Sequence, residues 1–421
     1  MNAFLPADIL LPKNAPMEKW AVIACDQFTS DQAYWDRVRK NAEGSASTIN
    51  LILPEAELGT PSEAAHTKLI NETMAEYLKN DVFVTYPNSF VLVERTLDNG
   101  SIRTGLMGMV DLDAYDYSTG SSSAIRATER TVVERIPPRQ RVRRDAPIEL
   151  PHILMLADDH DKVLIEPIAA KKDSLKKLYD FDLMEGGGHI TGWLVEGEEV
   201  KAFEQRLTEY TANVGKKYEG LKGIPMVFAV GDGNHSLATA KAYWNEIREG
   251  LSEAERENHP ARFALCEIVN IHDEALLFEP IYRIVTGTTR AAVMADWKAY
   301  AEAKGMTLAS EGSDHRFTVV SADGEETVSV LNPEGAIPCE TIQKFLDDFL
   351  SRHPEAGIDF IHGEGSLRTL AAKPETVGFL LPEIDKHSFF KDVEKLGVLP
   401  RKTFSMGEAD EKRFYMEAKK I

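Results

Sequence analysis

IPMVFAVGDGNHSLATAKAYWNEIREG, residues 224–250, decides how this chain reads. Residues 224–230 are short and almost wholly apolar, the texture of a buried strand. Glycines follow at 231 and 233, where the backbone can turn sharply and a ligand can approach the amides. Residues 236–249 then read as a helix, with Ser236 or Asn234 as its cap and Gly250 at its end. A helix N-terminus presents unpaired N–H groups and a partial positive charge. Gly231, Gly233, Asn234 and Ser236 are therefore candidates to hold a phosphate or carboxylate. Asp232 adds an acceptor and His235 a titratable base. The plain alternative is a strand-to-helix turn with a well-capped helix. Gly-x-Gly is a weak signal, and the stretch lacks both the Lys of a P-loop and the third Gly of a dinucleotide fingerprint.

Working outward, strands alternate with helices, which points to an α/β core. Residues 189–195 read as a strand, 198–217 as a helix and 263–271 as another buried strand. The Gly186-Gly187-Gly188-His189 stretch reads as a turn entering the first of these. Nearer the N-terminus, residues 30–39 read as a helix capped by Ser30 or Asp31, with Tyr34, Trp35 and Val38 on one face. Residues 61–78 read as a second helix. Residues 90–97 and 102–112 form a hairpin at Asp98-Asn99-Gly100, since Asn-Gly accepts positive φ at both central positions. A second hairpin is expected from 152–156 and 162–168 through Asp158-Asp159-His160-Asp161. After residue 287 two helices, a hairpin through Ala322-Asp323-Gly324 and two further strands read as a small α+β subdomain. The expected division is a mixed α/β core over 1–287, the subdomain over 288–384, and a helix with a basic tail over 385–421 that returns to the core.

The chain has 421 residues and a formal charge of −20, with 43% hydrophobic residues. That composition fits a folded globular protein. Its acidity disfavours nucleic acid or anionic membrane as partner, because both require a basic surface. The N-terminus lacks the pattern of a signal peptide, and no apolar run approaches the ~20 residues of a membrane span. The three cysteines form no disulfide framework or metal pair, so the cytoplasm is the default compartment. His259 and His272 have no close His or Cys companion, and neither zinc nor haem is expected.

Against that acidity stands RATERTVVERIPPRQRVRR, residues 126–144, with seven arginines in 19 residues. Arg126, Arg130 and Glu134 are four apart and would share one helix face, with Pro137-Pro138 ending the helix. Guanidinium groups bind phosphate through paired hydrogen bonds. The alternative is a solvated helix laced with Arg–Glu pairs. Asp26 follows the apolar run Ala21–Ala24 and falls at a strand end.

Five segments in order resemble a family of bacterial and archaeal proteins, the domain of unknown function 1015. They are Cys25-Asp26-Gln27-Phe28, Thr128-Glu129-Arg130-Thr131, Asp232-Gly233-Asn234-His235-Ser236, Pro280-Ile281-Tyr282-Arg283 and Leu399-Pro400-Arg401-Lys402-Thr403. Asn234 and Ser236 stand where the family pattern has His and Arg, the mark of a divergent member. The third segment also resembles the signature of the ParB/sulfiredoxin-like superfamily, whose strand–loop–helix cradles nucleotide phosphates. The resemblance implies phosphate handling without fixing a reaction, and the leading expectation is a nucleotide-dependent phosphotransferase acting on a small hydroxylated metabolite. Arg126, Arg130, Arg283 and Lys402 would neutralise phosphate. Asp26, Glu129 or Asp232 would bind Mg²⁺ or serve as base, with His235 a second candidate base and ATP, ADP or another nucleotide as co-ligand. The alternatives are a non-catalytic nucleotide- or phosphometabolite-binding regulator and a nucleotide hydrolase.

Overall fold

The computed structural model describes residues 2–25, 28, 31–57, 59–131, 133, 136–217, 224–312, 315–400 and 402–421. Its contacts divide the chain into two units, Met1–Leu276 with Gly407–Ile421, and Leu277–Met406. The observed borders thus fall at 276/277 and 406/407, where the sequence placed them at 287/288 and 384/385. The architecture is mixed α/β.

The large unit is built on an eleven-stranded mixed sheet. Along its main path the order is Tyr115–Asp116, Ile125–Ala127, Phe228–Asp232, Leu154–Ala157, Phe263–Asn270, Ile102–Asp111, Phe83–Thr96, His189–Val195 and Lys176–Asp182. Both faces are covered, so the central strands read as continuous apolar runs rather than as alternations. In Phe83–Thr96, Phe90 and Leu92 join one core cluster while Val91 and Val93 join the other. The first cluster holds Phe4, Phe203, Phe228 and Trp244, and the second Trp35, Leu265 and Phe414. The Asn-Gly hairpin forms as expected, pairing Thr96 with Ile102 and Val91 with Met107. The first long helix is Gln32–Ala42, capped by the Asp31 carboxylate, which accepts from the Tyr34 amide at 3.0 Å.

The small unit carries a six-stranded antiparallel sheet with helices Arg290–Ala303 and Pro338–Arg352. Its core centres on Trp297, stacked on Phe345 at 5.3 Å.

Three local expectations are corrected. Arg126 is not helical. It lies in the strand Ile125–Ala127, parallel to Phe228–Asp232. The helix that follows is Ile136–Arg144, and Pro137-Pro138 begin it instead of ending it. Proline in the first turn loses no intrahelical hydrogen bond and has φ preset for a helix. The second hairpin does not form. Leu154–Ala157 pairs with Phe228–Asp232 and Phe263–Asn270, whereas Glu166–Ala169 is a short helix. The Asp159 carboxylate accepts the Leu164 amide at 2.8 Å, folding the chain onto itself where a return strand would need extended backbone.

Residues 407–421 are threaded back onto the large unit. Ala418 bridges Leu10, Tyr415 bridges Val22, and Lys419–Lys420 pairs with Ile148–Glu149. The Trp20 indole donates to the Met416 carbonyl at 2.9 Å. At the centre Arg413, 2% exposed, meets two carboxylates that are as deeply buried. Its Nε lies 2.9 Å from Glu267 Oε2, and its Nη2 pairs with Glu417. The Glu267 contact is one of charge, since the N–H is not aligned on the oxygen. Tyr179 donates to Glu417 at 2.6 Å. Burial lowers the Arg413 pKa, but Glu417 and Glu267 outweigh it and hold the guanidinium firmly charged. Room is made by Gly105, where a Cβ would stand 2.1 Å from Glu267 Oε1.

Removing one partner of such a cluster leaves an uncompensated buried charge. Arg413→Leu is expected to cost about 3–5 kcal/mol, read from urea unfolding of the large unit. An effect below about 1 kcal/mol would mean that water already reaches the carboxylates.

At the sheet edge His189 sits between Asp182 and Asp180, each at 2.7 Å. The Asp182 contact, with Asp180 behind it, raises the His189 pKa against a smaller effect of burial. A raised folded value stabilises fully below the unfolded pKa of about 6.5 and is lost as pH rises through the higher folded value. His189→Gln should flatten unfolding stability against pH over that window. An unchanged profile would show that the pair is screened by solvent.

Candidate functional site

Phe228–Asp232 lies inside the sheet, between Ile125–Ala127 and Leu154–Ala157. The strand begins four residues later than the sequence suggested, and Ile224 is 59% exposed. Its register shifts between Val230 and Asp232, so Gly231 takes up a bulge and Asp232 faces Leu154. Gly233 then turns the chain at φ 80°. The helix Asn234–Arg248 begins at once, with Gly233 as its N-cap and no side-chain cap. This corrects the expected capping by Ser236 or Asn234, both of which lie within the first turn. The turn is tight because Ile153 closes on it: a Cβ at 233 would stand 2.9 Å from Ile153 Cγ1 and 3.1 Å from its Cα.

Ile125–Ala127 runs parallel to Phe228–Asp232, so the two strands end on the same side of the sheet. Thr128, fully buried, donates to the Val230 carbonyl at 2.6 Å. Thr128-Glu129-Arg130 is thereby carried to the edge from which Gly231-Asp232-Gly233 departs. Glu129 is partly exposed and Arg130 exposed. Two of the five quoted segments, a hundred residues apart in the chain, are neighbours in the fold.

The Asp232 carboxylate accepts the Gly233 amide at 2.8 Å and lies 3.4 Å from Lys412 Nζ. No local pattern marked Lys412. It is brought here because the guanidinium of Arg95 donates to the carbonyls of Lys412 and Asp410 at 3.2 and 2.6 Å, and that of Arg103 to Glu411 at 3.0 Å. Burial lowers the Arg95 pKa to about 9, with Arg103 and Arg413 adding to the effect and Glu267 opposing it. A run of acidic and basic residues at 408–413 could not disclose that partnership.

The other predicted residues divide. Asp26 lies outside the described residues. Arg126 is 3% exposed, and its guanidinium donates to the carbonyls of Ser123 and Ile224. It ties the sheet edge, which corrects its placement as a phosphate ligand. Arg283 is corrected likewise. It is fully buried in the small unit, where its nitrogens meet Gln343, the Ile281 carbonyl and Cys339 Sγ, and its plane lies 5.2 Å from the Phe360 ring. Lys402 also belongs to the small unit and adopts φ 57°. Among the described residues no three His, Cys, Asp or Glu side chains cluster as a metal site. Mg²⁺ in nucleotide sites commonly takes only one or two protein carboxylates with phosphate and water. Glu129 and Asp232 are compatible with that donor set.

The mixed sheet thus delivers a strand through a glycine turn directly into a helix, whose first-turn amides have no intrahelical partner. The chain belongs to a family described as "Protein of unknown function (DUF1015)", which it matches over residues 7–349. Comparison with curated proteins returns no match. Among solved structures the chain is similar to a conserved hypothetical protein from Pyrococcus furiosus, at 11% identity and TM-score 0.36 over 73% of this chain and 92% of that one. It is similar to a free serine kinase in complex with AMP, at 12% identity and TM-score 0.39 over 73% and 90%. It is also similar to C-terminally truncated SbnI from Staphylococcus aureus, at 10% identity and TM-score 0.37 over 72% and 82%. Likeness at this level carries no argument about activity. No helix among the described residues is long and apolar enough to cross a membrane.

Gly233→Val combines a forbidden φ with a clash against the Ile153 backbone. It should lower stability by more than about 2 kcal/mol. Gly233→Ala is the milder case, and thermal unfolding of the two should rank them in that order. Equal and small effects would show a loop free to move away from Ile153.

Proposed function

We propose that this protein is a nucleotide-dependent phosphotransferase acting on a small hydroxylated metabolite. The observation that carries the reading is that the parallel strands leading into Thr128-Glu129-Arg130 and into Gly231-Asp232-Gly233 end on the same side of the sheet. Phosphoryl transfer is mostly positioning and charge neutralisation, and this edge supplies both. Amides of the first turn hold phosphate oxygens, favoured by the helix dipole. Arg130 and Lys412 supply the local positive charge that a strongly acidic chain needs to admit a phosphorylated ligand. Asp232, held by the Gly233 amide, keeps Lys412 turned toward the loop. Glu129 accepts the proton of the attacking hydroxyl, with His235 as the second candidate. Bound at Glu129 and Asp232, Mg²⁺ would neutralise phosphoryl charge.

A non-catalytic binder of the same ligand is the competing reading. It is favoured by one observation, that the Asp232 carboxylate is already engaged by Lys412 and the Gly233 amide.

Thermal shift with ATP, ADP and AMP, with and without Mg²⁺, tests binding. At a hundred times its Kd a ligand adds about 2.7 kcal/mol of stability. Turnover is then followed by phosphorus NMR with ATP and a pool of hydroxylated metabolites. Glu129→Gln should abolish phosphoryl transfer while leaving nucleotide affinity, measured without Mg²⁺, within about threefold. Arg130→Ala should weaken binding about tenfold, the worth of one charge-assisted contact. Binding without turnover on any acceptor favours the regulator, and phosphate release without an acceptor a hydrolase. No binding of any nucleotide removes the proposal.

A further inference from the structure

The first two turns of the Asn234–Arg248 helix border, through Ser236, Thr239 and Ala240, a cavity of about 180 Å³ within the large unit. Its walls come from segments far apart in the chain. Leu51, Leu53, Met74, Leu150 and Ala264 make an apolar side. The lining also includes Arg139 and Arg143, one turn apart on Ile136–Arg144, with Ser236, Glu149 and Tyr415. Two cationic side chains and one acidic side chain therefore line the space, with His152 and Ile421 beside them.

Arg143 is the informative member. Its side chain is 13% exposed, and Nη2 lies 2.6 Å from Glu149 Oε2, itself 6% exposed. That ion pair is not an aligned hydrogen bond, and the buried Nε finds no acceptor among the described residues. Buried donors are satisfied in the great majority of folded proteins, so an orphaned guanidinium edge on a cavity wall calls for an acceptor. Burial alone would raise the Glu149 pKa. Arg143, Lys419 and the Leu265 amide outweigh it and hold the carboxyl below the usual range. Glu149 thus stays ionised and fixes the guanidinium in place. Tyr415 is fixed as well, its hydroxyl 2.5 Å from His152 Nδ1.

From these walls we infer a second ligand site, for a compact organic anion whose charged end meets Arg143 and Arg139 and whose apolar body packs on Leu51, Leu53 and Met74. The volume sets the size. An apolar cavity of about 150 Å³ holds benzene, so a ring or branched chain of about six carbons with one carboxylate or phosphate fits. The cavity meets the first turn of the helix at Ser236, so this ligand lies beside the one proposed there.

The test is calorimetric titration of the full chain with benzoate, phenyl phosphate and the neutral isostere benzamide. No nucleotide is present, so failure here leaves the phosphotransferase reading untouched, and the reverse holds. At least one of the two anions should bind ten times more tightly than benzamide. Arg139→Gln should remove that preference, and so should Arg143→Lys, which keeps the charge beside Glu149 but loses the guanidinium fork. As a readout independent of any variant, the Met74 methyl resonance should shift on titration, assigned through Met74→Leu. Benzamide binding as tightly as the anions overturns the inference, as does no binding of any probe, an anion preference that survives both arginine variants, or an unmoved Met74 methyl.

Discussion

Arg413 lies within the protein interior with the charge it would carry in water, and Glu267 and Glu417 are the groups that make this tolerable. Moving such charges out of water is expensive. A hydrophobic trio of the same volume could match the cluster in net stability. What the ions add is register. Glu267 belongs to a central strand, Glu417 to the returning segment, and Tyr179 to the far edge of the sheet. Sliding residues 407–421 by one position would strand buried charge, a far larger penalty than a misplaced methyl group. Gly105 and Gly192 belong to the same arrangement. A Cβ at Gly105 would strike Glu267, and one at Gly192 would stand 2.2 Å from the Tyr179 ring.

Much that bears on function follows from that register. With residues 407–421 fixed, Arg95 and Arg103 can grip the carbonyls of 410–412, Lys412 reaches Asp232, and Tyr415 reaches the cavity wall. One short segment serves both the helix end and the cavity beside it. The glycine loop, taken alone, is a strand-to-helix turn. It gains chemical definition from Thr128–Arg130 on one side and Lys412 on the other.

Local patterns disclosed what local physics controls. The Asn-Gly hairpin, the Asp31 cap and the strand–glycine–helix passage each depend on residues within a few positions of one another. The errors arose where distant partners overruled a local preference. Arg126 has helical spacing to Arg130, but Ile125–Ala127 pairs with Phe228–Val230 and draws it into a strand. Pro137-Pro138 are helix breakers in an interior and helix starters in a first turn, and spacing alone does not distinguish the two. Arg283 lies in a motif-like stretch yet is consumed by packing on Gln343, Cys339 and Phe360. Lys412 and the cavity have no periodicity to betray them. They exist only once residues from the two ends of the chain are brought together.

The discontinuity of the large unit also bears on how the molecule is made. Its sheet includes Glu267, but the cation that compensates Glu267 is 146 positions downstream, beyond the whole of the 277–406 unit. A nascent chain elongates at about 5–20 residues per second. The central strands therefore wait on the order of ten seconds on the ribosome with an unmatched carboxylate. During that interval the small unit, continuous in sequence and with its own core, can complete its folding first. The second half of the chain is thus set to mature before the first, and the large unit is sealed only as its last fifteen residues emerge.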